Sequence, residues 1–545
     1  MVSNKYNTMY WVLILLSVLT TSNAADYYVC DCVDGSDAEC TSGQDIAEGS
    51  FLNPFQSLNR ANETFNSLVA GDSIQFCRGG AWSTSNNLRW VNRSCREDMR
   101  CTITDYTPNW ASGDELKPLL NFENGVHGFN FSDSASAEHE EGYVLENLDL
   151  RGSNGGNGVF LANDIDDVTL INLSITNFII GVHLGGSQVC NPNDSSCDAR
   201  NDRIILRDST ITFSYAQGWL GGSNGSQVIN NYFSDNGTRA VFDHNIYVSG
   251  SSNSVTDGMI ISGNQLYRNA PNSDGRCSAV SLVVHGEHNN MMISNNYIKE
   301  ELGMAIPGCW GIAVDNGYSE AEGFTNITIQ NNRIENVGNI SIGVGACDTC
   351  TIENNIISNN QDFNVRGIAA PDRLLGPEDL PMDNIVIRNN SIYFNNPASG
   401  TGIILGTMGN NHVIASNAIY YNGNLDSFNC FDTDLPFSEY LDMDYNLCYH
   451  PNAGNAEWSH NQGGLLQWQK ASGFSQNASM TNPGFEDPEN NQFWAQNQSM
   501  AIVNTGHPIF SSDCDYDCTP RDITPDIGAY EWIENDTIFA HGFDE

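Results

Sequence analysis

Basic residues are scarce: 22 lysines and arginines stand against 66 aspartates and glutamates in 545 residues, a formal net charge of -44. That balance excludes nucleic acid as a partner, because phosphates call for a basic surface. It would also repel a polyanionic substrate unless bound cations or local arginines reversed the field inside a groove. Charge of either sign is thin, 16% of residues, which points away from a helical or ordinary mixed fold. Long apolar runs are missing too. The stretch Tyr10 to Leu19 is shorter than the roughly 20 residues a spanning helix needs, and no later segment is longer. No transmembrane segment is therefore expected.

That stretch follows Lys5 and precedes Ser22-Asn23-Ala24-Ala25, the pattern of a secretory signal peptide over residues 1–24. An exported, extracellular chain is expected, and its sixteen cysteines read as disulfides. Close pairs are Cys95 with Cys101, Cys190 with Cys197, Cys347 with Cys350, Cys430 with Cys448 and Cys514 with Cys518. For Cys347 and Cys350 a bridge outweighs zinc, which would need a second ligand pair nearby. Cys30, Cys32, Cys40 and Cys77 cluster near the start with open connectivity.

Length alone suggests several domains, but repeats lift that expectation, since a solenoid core grows in one dimension. A short apolar alternation, an Asn-Asn pair or polar substitute, and a second alternation recur, as at Ile261–Leu266, Ile293–Ile298, Ile329–Ile334, Ile352–Ile357 and Ile387–Ile392. Weaker copies start at Leu170, Leu206, Ile229 and Ile414. The asparagines Asn264, Asn296, Asn332, Asn355, Asn390 and Asn417 recur at one turn of a parallel β-helix plus loops of varying length. A tight bend needs a residue that tolerates the left-handed region, and stacked amides can bond as a ladder at strand spacing. Between these units lie strand-like segments beginning near Ile246, Leu282, Ile312, Ile342, Ile368 and Ile403. The reading is all-β: a right-handed parallel β-helix of about ten coils, capped by the amphipathic stretch Pro54 to Val69. Residues 25–510 hold the helix and its caps. Residues 511–545 form a disulfide-containing C-terminal segment and tail, for which a sorting or anchoring role is open.

The chain resembles secreted right-handed β-helix proteins of the pectate-lyase-like superfamily. The resemblance rests on Asp34-Gly-Ser-Asp37, Asn53-Pro-Phe55, Ala70-Gly-Asp-Ser-Ile-Gln-Phe76, Asp243-His-Asn-Ile-Tyr-Val-Ser-Gly250, Asn482-Pro-Gly-Phe485 and Pro525-Asp-Ile-Gly-Ala-Tyr-Glu531. It spans nearly the whole mature chain and implies architecture and a polysaccharide partner. Lyases, hydrolases, epimerases and proteins without known activity share this fold.

Stacking the strand segments aligns Ser249, His285, Asp315, Gly345, Pro371 and Gly406 in one column, with small residues leaving open floor. Glu287, His288, Asp348, Asp372, Arg373, Asp243, His244 and Arg366 fall on its edges. The favoured chemistry is β-elimination on a uronate: His244, His285, Arg366 and Arg373, with Lys299, are candidate bases or charge stabilisers, and Asp315 completes the catalytic set. Asp315, Glu287 and Asp372 would be ligands of a calcium ion, which prefers hard oxygens. Hydrolysis would instead use two of Asp243, Asp315, Asp348 and Asp372. A polysaccharide-binding or adhesion β-helix without catalysis is the reading from another class; a monomer is expected, for no coiled-coil segment is present. For His244 a turn-satisfying role weighs as much as catalysis, and Lys299 suits a solvated loop. Triplets such as Asn326-Ile-Thr328 arise by chance in an Asn-rich repeat.

Overall fold

A computed structural model describes residues 24–132, 141–186, 200–239, 242–250, 255–317, 321–406, 409–423, 428–433, 435–451 and 456–533. Residues 1–23 of the expected signal peptide, Cys190 and Cys197, and residues 534–545 lie outside the described residues. Three long sheets run the length of the molecule, with 14, 13 and 13 strands, and their strands pair in parallel coil after coil. Each coil contributes in turn to sheet I (for example Ile260–Ser262), sheet II (Gln265–Tyr267) and sheet III (Leu282–His285). The side chains of Ile261, Leu266, Leu282 and Val284 point inward and are sealed from solvent, which gives the period-2 alternation of the sequence its physical cause. No helix among the described residues is long and apolar enough to cross a membrane.

The stack is longer than the ten or so coils expected, and the asparagine turn explains the difference. From Asn231 to Asn446 the turn between sheets I and II carries a continuous ladder. Each Oδ1 accepts from both the backbone N and the Nδ2 of the asparagine one coil earlier, at 2.9–3.1 Å. The residue just before each ladder asparagine, among them Asn230, Gly263, Asn295, Asn331, Asn354 and Asn389, takes the left-handed conformation. The two members of Asn-Asn thus divide the labour: the first bends the chain and the second bonds along the axis. In earlier coils Asn147, Asn172 and Asp208 still make the bend, but Leu148, Leu173 and Ser209 follow them, so those coils lack the pair that marks the later ones.

The N-terminal end is covered by a helix, Leu58–Phe65, within the expected stretch. Its Ser57 cap accepts from Arg60 N. Phe65 packs on Trp90 and Tyr143, at ring separations of 5.4 and 5.2 Å. Cys30–Cys77 and Cys32–Cys40 staple this region, and Cys95–Cys101, Cys277–Cys309, Cys347–Cys350 and Cys430–Cys448 pin loops along the stack. The expected Cys514–Cys518 bridge is corrected: both are free thiols. Their loop is closed by Asp515, whose carboxylate accepts from the backbone N of Asp517, Thr519 and Glu531. The C-terminal stretch packs on later coils across residue 510 without a break, with Phe485, Phe493, Ile502 and Ile527 against Ile356, Tyr393, Ala418 and Leu447.

Candidate active site

The register of sheet III follows the sequence alignment at every step. Ile246 pairs with Leu282, Leu282 with Ile312, Ile312 with Ile342, Ile342 with Ile368 and Ile368 with Ile403. His285 ends one of these strands, Asp315 follows the next, and the turn after Asn364–Ala370 carries Asp372 and Arg373. His285 Nδ1 lies 2.8 Å from the Asp315 carbonyl oxygen, 3.3 Å from Glu322 Oε1 and 3.8 Å from Asp315 Oδ1. All three are acceptors, so Nδ1 carries the hydrogen. Glu322 is itself anchored, with Oε1 accepting from Gly286 N at 2.7 Å and Oε2 from Gly317 N at 2.5 Å.

Asp372 folds back over the column. Its backbone N donates to Val344 O, and its carboxyl lies close enough to that of Asp315 for the Asp315 charge to raise its proton affinity. The small residues keep that space open: a Cβ on Gly343 would strike Asp372 Oδ2, and one on Gly345 would lie 2.5 Å from Asn316 Oδ1. The expected open floor is therefore filled by a second carboxyl. Drawn as two carboxylates, the four oxygens are sealed from solvent, and Arg373 Nε is the donor beside Asp315 Oδ2; a proton on one carboxyl supplies a donor to the other. Burial, then the Asp315 charge, pushes the Asp372 carboxyl well above its ordinary range. Asp315 is raised by burial but opposed by Arg373 and His285. Both carboxyls hold a proton more tightly than a free one does, Asp372 the more so. Arg373 Nε approaches Asp315 Oδ2 at 2.5 Å, and its guanidinium lies 5.2 Å from the Trp310 ring.

The remaining expected residues part from this cluster. His244 is buried; its Nδ1 is 2.7 Å from Val280 O, burial pushes its pKa down to about 4, and its ring stacks on Tyr247. It is therefore a neutral, structure-making histidine at neutral pH. Arg366 sits near the opposite end of its strand, where its N donates to Asn339 O, away from the turn that presents Asp372. Asp243 is paired with Arg239 at 2.7 Å. Asp348 and Glu287 belong to a separate four-stranded sheet at the corner between sheets III and I, where Glu287 pairs with Gly323. His288, in the same sheet, is buried and bonds to the His285 carbonyl. Lys299 lies on sheet II, 4.0 Å from Glu335.

The expected calcium trio does not come together as written. Among the described residues, two groups of three have ligand atoms within 4.8 Å, Cys30–Cys40–Cys77 and Cys277–Glu300–Cys309; neither includes Asp315, Glu287 or Asp372, and both are built around disulfides. Glu287 is displaced to the corner sheet, and Glu322 is the acid beside His285. The oxygens that fit a hard cation by class are those of the Asp315 and Asp372 carboxyls with Asn316 Oδ1, all sealed from solvent. Sequence reasoning missed Glu322 and Asn316. Asn316 directly follows Asp315 and ties down the Asp372 loop by donating to Leu374 O and Asp379 Oδ2, each at 2.9 Å.

Comparison with known proteins follows the same outline. The family model described as a right-handed β-helix region matches residues 310–506. A lacto-N-biosidase of Bifidobacterium longum subsp. longum is 24% identical over 361 residues, covering 62% of this chain and 20% of that protein. The chain thus spans about a fifth of the length of that relative. Among solved structures, XylC with xylose is 10% identical, covers 92% of this chain and 98% of its own, and has a TM-score of 0.47. A GH136 lacto-N-biosidase from Eubacterium ramulus is 15% identical over 81% of this chain and 66% of its own, with a TM-score of 0.34. The stacked parallel sheets and the family match together establish that the chain is a right-handed parallel β-helix protein.

Proposed function

We propose that this protein is an exported glycoside hydrolase acting on a neutral extracellular glycan, with Asp372 as proton donor and Asp315 as its ionised partner. The observation that carries the reading is the sealed Asp315–Asp372 pair, two carboxyls whose surroundings raise both proton affinities, that of Asp372 the further. Asp372 protonates the glycosidic oxygen as the bond breaks. Asp315, kept ionised by Arg373 and His285, faces the positive charge that develops at the anomeric carbon and takes the proton of the attacking water. One proton leaves the pair and one returns. The relative whose name denotes a glycosidase supports this class, and the net charge of -44 favours a neutral substrate. The disulfides suit an oxidising, extracellular setting.

β-Elimination, the chemistry favoured on sequence grounds, is less well served. It needs a base at the sugar ring and a cation for the uronate, whereas His285 Nδ1 faces the Asp315 carbonyl and Arg373 is committed to Asp315. A calcium ion would be held by Asp315, Asn316 and Asp372, and would supply the positive charge that the shared proton otherwise provides. The test is to incubate the mature chain with neutral and uronate glycans, following reducing ends and the absorbance of unsaturated uronate. Reducing ends from neutral glycans, lost in Asp372→Asn, are expected; unsaturated products would overturn the reading in favour of a lyase.

A further inference from the structure

The outer face of sheet II changes character along the stack. In later coils it presents Ile356, Tyr393, Ala418 and Leu447, and the C-terminal stretch covers them. In earlier coils it presents hydroxyls and charge. There the strands Asp149–Arg151, Ser174–Thr176 and Thr210–Thr212 stack so that Asp149, Ser174 and Thr210 form one column and Arg151, Thr176 and Thr212 another. Their intervening residues, Leu150, Ile175 and Ile211, are the buried core. These columns and Phe213 line a shallow cavity of about 540 Å³.

Phe213 is out of place by every local rule. It occupies the left-handed turn position that Asn177 and Asp235 fill in the adjacent coils, a conformation that disfavours an aromatic side chain. The residue is 52% exposed. An asparagine would relieve the backbone and remove apolar surface from water at once. The ring stands at the rim of the hydroxyl-lined floor, while Arg151 and Asp149 form an ion pair at 2.7 Å on the same surface. The cavity's formal charges cancel, in a chain that is otherwise strongly acidic.

The geometry points to a second carbohydrate site on sheet II, separate from the carboxyl pair of sheet III, that binds a neutral pyranose unit. An apolar sugar face stacks on Phe213, as aromatic rings accept such faces. The hydroxyls of Thr176 and Thr212, 3.4 Å apart, and the Asp149–Arg151 pair exchange hydrogen bonds with the sugar hydroxyls, since these groups both donate and accept. The balanced charge favours a neutral sugar over a phosphate or uronate. This site extends the glycan reading of the protein without using its catalytic pair.

Affinity electrophoresis of the full chain carrying Asp372→Asn, through gels containing xyloglucan, galactomannan or mixed-linkage β-glucan, tests it without cleavage. At least one polymer is expected to retard the protein. Adding Phe213→Asn should weaken that retardation at least tenfold with the melting temperature kept or raised, and Thr212→Val should weaken it severalfold. Equal retardation with and without Phe213→Asn, or no retardation by any polymer, overturns the site. The hydrolase reading fails separately, through absence of cleavage by the chain with Asp372 intact.

Discussion

The carboxyl of Asp372 is sealed from solvent beside that of Asp315, whose charge raises its proton affinity. The chain brings them together by parallel stacking, which sets Asp315 two coils from the strand that ends before Asp372. Removing either group should be severe. Asp372→Asn and Asp315→Asn are each expected to lower kcat by about 10²–10⁴, the usual worth of a positioned proton-transfer group, with the fold intact by circular dichroism. Full activity in either variant would contradict the assignment.

Arg373 sets which carboxyl keeps the charge. Its cation lowers the proton affinity of Asp315, and activity requires Asp315 ionised, so it rises with pH through that group's titration. In Arg373→Met the opposing charge is gone and Asp315 is held higher. The acidic limb of the pH–rate profile should therefore move to higher pH. A limb that stays put would show that Arg373 does not tune the pair.

Gly343 is expected to be intolerant of even one methyl group. Its Cβ would land on Asp372 Oδ2, so Gly343→Ala should expel that carboxyl and reduce kcat at least a hundredfold, while Gly367→Ala, away from the pair, serves as a structural control. Equal kcat losses in both variants would count against a specific clash.

Proton and calcium compete for the same oxygens. The pair, protonated, needs no cation; doubly ionised, it is a buried site of two negative charges. Calcium should therefore raise the melting temperature more at pH 9 than at pH 6, and Asp372→Asn should abolish the difference. Absence of any calcium effect at pH 9 would remove the ion from the account.

Glu300 gives a stability test remote from the site. It is buried beside Cys277–Cys309, accepts from Asn269 N at 3.0 Å, and burial pushes its pKa up to about 8. Its proton is held more tightly in the folded chain than in the unfolded one. The stabilisation it contributes is fully present below the unfolded value, near 4.3, and is lost as pH rises toward 8, at roughly 1.4 kcal/mol per pH unit. Glu300→Gln keeps an acceptor for Asn269 and should flatten the fall in melting temperature over that window.

Much of this architecture is legible in the sequence because the β-helix turns period-2 alternation into register. Ile246, Leu282, Ile312, Ile342, Ile368 and Ile403 share one inward column, so the neighbours of His285 follow by counting. Counting fails where the chain leaves the strand. Counting aligns Pro371 with Asp315, but the turn swings Asp372 back over Gly343 and Gly345, and glycines that read as open floor are instead room for a carboxyl. Glu322 arrives from an insertion whose length has no periodic constraint, so counting along the strands offers Glu287 as an acid at the column's edge and does not reach Glu322. Cys514 and Cys518 have the spacing of a bridge, but three backbone N–H groups on Asp515 close that loop without one.

The shared proton is the central claim, and infrared difference spectroscopy of the full chain at neutral pH, wild type minus Asp372→Asn, tests it most directly. The account predicts a positive band in the carbonyl-stretch region of a protonated carboxylic acid, lost when the pair is doubly ionised at high pH. A difference spectrum showing only carboxylate bands at neutral pH would mean that both groups are charged, and would contradict Asp372 as the proton donor.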